Sequence, residues 1–143
     1  MKNPSLVPPA SVWDDKNSCE MRWVLPADPE SVGKARQLVR EALAGWGLSA
    51  LAEDLTMVVS EVATNVVVHA RSPMTLSLRR YRRSVRGEVA DRSPGWPTLL
   101  PAGFDEEHGR GLAIVAAYAD RWGVDPDPEG KTVWFVCGEW EAS

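Results

Sequence analysis

Between Cys19 and Leu25, Met21, Trp23 and Leu25 alternate with Arg22 and Val24, a period of two that predicts a short strand. Pro26-Ala27-Asp28-Pro29 stops it. Ser31 is placed to cap a helix from Val32 to about Ala44, with Val32, Ala35, Leu38, Val39 and Leu43 on one face. Gly45 and Gly47, flanking Trp46, end that helix. A second helix follows a Ser49 cap and runs to about Ala70 on an apolar stripe of Leu51, Leu55, Val58, Val59, Val62 and Val66. Thr75–Tyr81 and Ser84–Ala90 alternate again and, with Arg82-Arg83 between them, predict a hairpin. Asp91–Gly109, rich in Pro, Gly and acidic residues, reads as a long loop, which in a compact domain is usually functional. Gly111–Ala119 predicts a short helix, Asp120–Val124 a strand and, after a turn at Asp125–Gly130, Lys131–Val136 the last strand.

That order predicts an α+β fold, a two-layer sandwich with helices on one face of a mixed, mostly antiparallel sheet. Residues 1–17 hold three prolines and no periodicity and read as a flexible arm. Residues 18–138 read as one domain and 139–143 as a tail.

Composition narrows the class. The 143 residues are 44% hydrophobic and 25% charged, with a net charge of −4 and an isoelectric point near 5.2. An acidic balance argues against nucleic acid as a direct partner, because phosphate-backbone binding needs a basic face. No apolar run is long enough to span a membrane, and no apolar segment follows Lys2 as in a secretory leader. Cys19 and Cys137 have no metal-ligand spacing and read as two reduced thiols of a cytoplasmic protein. Seven Trp stand against two Phe and two Tyr. Trp23, Trp122 and Trp134 fall on predicted strands and are expected in the core between sheet and helices. Arg79-Arg80-Tyr81-Arg82-Arg83 with Arg86 reads as a charged strand edge, or as a contact for an acidic partner.

Three segments carry candidate chemistry. Glu61 and Asn65 are four apart on the second helix and share a face, with His69 one step further on. An isolated Glu/Asn pair is ordinarily a solvated helix face. Its functional reading is a carboxylate able to take a proton beside an amide oxygen able to ligate Mg²⁺. Asp91-Arg92-Ser93-Pro94-Gly95 follows a predicted strand. A carboxylate fixed there can accept a hydrogen bond from an exocyclic amino group, and Gly95 lets backbone pass close under a flat ring. Gly109-Arg110-Gly111-Leu112 opens a helix, where free N–H groups and the dipole favour phosphate.

In this order the three segments resemble the nucleotide-binding boxes of the GHKL ATPase/kinase superfamily. The small size is similar to the stand-alone histidine-kinase-like ATPase domains of the anti-sigma factor serine/threonine kinase group (RsbW/SpoIIAB-like). The resemblance covers about Met21 to Val136. It implies the ATP-binding fold of that superfamily, with ATP and Mg²⁺ as cofactors. Asn65 would carry Mg²⁺ and Glu61 would be the catalytic base. Asp91 would read the adenine amino group with Gly95 beneath the ring. Gly109, Arg110, Gly111 and Leu112 would bind the phosphates, and Asp91–Gly109 would form the lid. It further implies an ATP-dependent kinase acting on an anti-anti-sigma (STAS-type) protein and binding a sigma factor. A homodimer is one expected assembly. The alternative is a nucleotide-binding regulator of the same fold without chemistry. Three features depart from the family pattern: Ser93 stands where a glycine is usual, Asp105-Glu106-Glu107 makes the lid acidic, and Lys131 follows Gly130 where a threonine is common.

Overall fold

The computed structural model describes residues 18–92 and 113–138. The strands are β1 (Ser18–Leu25), β2 (Met74–Tyr81), β3 (Ser84–Asp91), β4 (Arg121–Asp127) and β5 (Gly130–Gly138). They form one five-stranded sheet in the order β1-β2-β3-β5-β4. Every pairing among them is antiparallel, where the sequence left room for a mixed sheet. The helices are α1 (Glu30–Gly45), α2 (Ala52–Asn65) and residues 113–118, denoted α3. A 3-10 turn, Ser49–Leu51, leads into α2, and a π-helical turn, Val66–Ala70, extends it.

Helices and sheet meet along one face because the periods of 3.6 and 2 both present valine and leucine there. Ala35, Leu38, Val39, Ala42 and Leu43 of α1 are buried with Leu55, Val58, Val59, Val62 and Ala63 of α2. The sheet answers with Leu25, Leu76, Leu78, Val85, Val89, Val133 and Phe135. Val32, expected on the buried stripe of α1, is only partly buried.

The helix ends follow local chemistry. Ser31 lies inside α1 rather than at its cap, and its hydroxyl donates to the Pro26 carbonyl at 2.7 Å. The carboxylate of Asp28 takes the capping role, accepting the Glu30 N–H at 2.9 Å. Two bonds close the C-terminus of α1, Leu48 N–H to Leu43 O at 2.8 Å and Gly47 N–H to Ala44 O at 3.2 Å. Gly47, at φ 73°, supplies the left-handed residue that closure requires. The π turn ends on Arg71, a non-glycine residue at φ 53°. An L side chain in that conformation costs about 1–2 kcal/mol, and glycine's extra backbone freedom in the unfolded chain returns roughly half of it. Arg71→Gly is therefore expected to stabilise the domain by about 0.5–1 kcal/mol, read as a higher urea midpoint at unchanged slope.

Alternation settles where the aromatic and basic residues lie. Trp23 and Trp122 pack, partly buried, against the core as expected. Trp134 does not. It neighbours Val133 and Phe135, which face the helices, so its ring lies on the opposite side of the sheet. There the Arg86 guanidinium stacks over it at 4.7 Å, and a Cβ on Gly123 would come within 2.7 Å of its ring. The arginine-rich hairpin is not an edge either, because β2 and β3 are interior strands. Arg79 pairs with Glu20 on β1 at 2.9 Å and Arg86 with Glu88 at 2.9 Å, leaving Arg82 and Arg83 exposed at the turn. Cys19 is exposed, and Cys137 is buried with its thiol donating to the Tyr118 carbonyl at 3.7 Å. Among the described residues, no helix is long and apolar enough to cross a membrane.

Candidate nucleotide site

Asp91 is the last residue of β3, and its strand partners are Met74 on β2 and Lys131 on β5. It shares a strand face with Val85 and Val89, so its carboxylate points to the helix side of the sheet. It is buried, 6% exposed. Gly130 makes this corner possible: a Cβ there would strike the Asp91 carbonyl and come within 2.8 Å of Arg92 Cα. Without it, β5 closes onto the end of β3 and holds the carboxylate at a fixed height.

Glu61 and Asn65 occupy the C-terminal half of α2, both partly buried. Their spacing puts them on one side, next to the fully packed Val58, Val62 and Val66. No hydrogen bond or ion pair with another described residue engages either side chain. The chain then turns through π geometry, a local distortion often found at functional sites, and His69 sits in that turn. Only Arg71-Ser72-Pro73 separate Ala70 from Met74, the partner of Asp91. Ser72 Oγ also accepts the Arg92 N–H at 3.1 Å. The C-terminal end of α2 and the end of β3 are thereby tied to the same end of the molecule. Asp91 at the strand end and the helix end that follows Glu61 and Asn65 lie at this end.

Two residues that the sequence treated lightly matter here. Lys131, noted only for standing where a threonine is common, reaches Asp91 Oδ2 with its Nζ at 2.6 Å. The two are 40 positions apart and meet only through the β3–β5 register. Ser72, which ties the helix end to Arg92, gave no sequence signal. Gly95, Gly109, Arg110, Gly111 and Leu112, with the rest of the expected lid, lie outside the described residues. A cavity of 530 Å³ lined by Asp54, Tyr118, Asp120, Arg121, Trp122 and Trp134 holds none of the expected site residues. It sits at the opposite end of the sheet, at the start of β4 and of α2.

A family model described as the histidine kinase-like ATPase domain matches residues 25–137. An uncharacterized protein of Streptomyces coelicolor is 38% identical over 80 residues, which are 52% of this chain and 76% of that protein. The crystal structure of the RsbU and RsbW domains of Rv1364c from Mycobacterium tuberculosis aligns with a TM-score of 0.66 at 20% identity, over 84% of this chain. The chain spans about a third of that protein's length (32%), and at this identity the likeness is one of fold.

Proposed function

The chain belongs to the histidine kinase-like ATPase domain family, and from that premise we propose that it binds ATP with Mg²⁺ and regulates a protein partner by phosphorylating it. The observation that carries this reading is the convergence of Asp91 with the Glu61/Asn65 end of α2 at one corner of the sandwich. Asp91 is the acceptor for the adenine amino group. To Gly95 this reading assigns the backbone passage beneath the base, and to Gly109, Arg110, Gly111 and Leu112 the phosphates.

The residues suit a hard cation. Among the described residues, no group of three or more His, Cys, Asp or Glu side chains could hold a metal ion by itself. Asn65 offers an amide oxygen, and Glu61 a carboxylate one turn away. Mg²⁺ is typically held by one or two such oxygens together with substrate phosphates. When bound, it supplies charge neutralisation at the transferring phosphate. Glu61 then takes the proton from an incoming serine hydroxyl as its oxygen bonds to the γ-phosphorus and the bond to the bridging oxygen of ADP breaks. Phosphoryl transfer asks little more of a protein than this positioning. The partner is an anti-anti-sigma (STAS-type) protein, with a sigma factor as the second binding partner, and the site of action is the cytoplasm.

Calorimetry with Mg-ATP tests the binding. The wild type is expected to bind, and loss of a hydrogen bond to a charged acceptor predicts at least about tenfold weaker binding for Asp91→Asn. An unfolding midpoint measured with and without ATP separates loss of the site from loss of the fold, since a ligand raises the midpoint only of a protein that binds it. An affinity untouched by Asp91→Asn in the folded variant would remove the adenine assignment. Label transfer from ATP to a STAS protein, lost in Glu61→Gln while ATP binding persists, tests the chemistry. ATP binding without any transfer would instead favour a regulator that acts by nucleotide-dependent association alone.

A further inference from the structure

Asp91 and Lys131 stand directly opposite each other across β3 and β5, with Nζ 2.6 Å from Oδ2. Their side chains are 1% and 7% exposed. The next row of the same face pairs Val89 with Val133, both buried. Apolar packing is therefore available at this depth, and a charged pair is a costly substitute for it because both ions must be stripped of water. A buried ion pair at a proposed ligand-reading position is the kind of group whose cost points to a function.

The chemistry of the pair differs from that of a lone carboxylate. An ionised carboxylate only accepts hydrogen bonds. An ammonium only donates, and of its three donors the Asp91 contact uses one. Lys131 thus sets a donor beside the acceptor at the point where the base is read. A 6-aminopurine presents there an amino donor next to a ring-nitrogen acceptor. A 6-oxopurine presents an oxygen acceptor next to a ring N–H donor. A lone carboxylate receives the first and repels the second, because its oxygen would face the exocyclic oxygen. The Asp91–Lys131 pair can serve both. The amino group goes to Asp91 and the ring nitrogen to Lys131 in one case; the ring N–H goes to Asp91 and the exocyclic oxygen to Lys131 in the other.

We propose that Lys131 is a base-specificity residue that relaxes discrimination between 6-amino and 6-oxo purine nucleotides. This rests on Asp91 being the base reader. ATP and inosine triphosphate differ only at this edge, so titrating each into the wild-type protein with Mg²⁺ isolates the effect. The two dissociation constants are expected within about tenfold, whereas sites built on an unmatched hydrogen bond reject the wrong partner by roughly 10⁴. Lys131→Thr removes a donor from both nucleotides but leaves the carboxylate matched to the amino group alone, so the inosine nucleotide is expected to lose more than ATP and the ratio to widen by at least about tenfold. A wild-type preference for ATP above about tenfold overturns the role of Lys131 while leaving the ATP site intact. Binding of neither nucleotide to the folded wild type overturns both readings. Should Lys131→Thr fail to fold, the wild-type ratio alone decides.

Discussion

Gly87→Val is expected to leave the domain unfolded, or nearly so, in buffer. Gly87 lies in the middle of β3, between β2 and β5, opposite Phe135. A Cβ added there would enter the Phe135 ring and come within 2.8 Å of its Cζ. Phe135 is 0% exposed and is the largest fully buried side chain among the described residues, so its ring cannot swing out to solvent without breaking core packing. Overpacking a core costs about 1–3 kcal/mol for ordinary insertions and more where neither partner can yield. Valine adds a branched side chain at this point, and a domain of this size has only about 5–15 kcal/mol in total. Gly87→Ala is expected to lose more than about 3 kcal/mol in a urea titration. Combining it with Phe135→Leu should recover part of that loss, because the two changes share one space and couple by about 0.5–3 kcal/mol. A loss below about 1 kcal/mol for Gly87→Ala would mean that the ring turns aside freely, contrary to this packing.

The second large effect concerns the buried pair. Asp91→Ala leaves the Lys131 ammonium, 7% exposed, without its carboxylate. Lys131→Met does the reverse. Removing one partner of a buried pair costs about 3–5 kcal/mol, because the surviving charge stays desolvated and uncompensated. Replacing both by apolar residues of similar volume, as in Asp91→Leu with Lys131→Met, is expected to be neutral or to gain about 1–4 kcal/mol. Urea unfolding of the two single variants and the double variant checks this. Equal losses for the single and double variants would show that the pair stabilises the fold in its own right. Recovery in the double variant, accompanied by loss of ATP binding, would show that the charges are kept for the ligand.

The sequence spoke clearly where one period repeated over many residues. α1 and α2 declared their buried faces through Leu38, Val39, Leu43, Leu55, Val58, Val59 and Val62. The five strands are all visible as alternation, within a few residues at their ends. β4 runs on through Pro126 to Asp127, where a turn was expected. Proline breaks a ladder only where its missing N–H is needed, and β4 is an edge strand. Capping was less legible. A serine and an aspartate can both cap, and only the path of the chain after Pro26 decided that Asp28 would do so.

Face and neighbour were the other gaps. Alternation says that Trp134 and Phe135 point opposite ways, but not which of two aromatic residues meets the helices. The match of Phe135 to the empty space over Gly87 decided that. Likewise, a run of arginines says nothing of whether its strand is an edge; the return of β5 to a place beside β3 put the hairpin inside the sheet.

For the site, the sequence by itself determined the kinds of group available, namely Glu61, Asn65 and Asp91, and the elements that carry them. These follow from short-range spacing, which a linear chain displays directly. Only the tertiary structure decided that the end of α2 and the end of β3 share one corner, and that Lys131 occupies the carboxylate of Asp91. Both depend on strand register between segments far apart in the chain, and register is fixed by packing of the whole sheet against α1 and α2 rather than by any local signal.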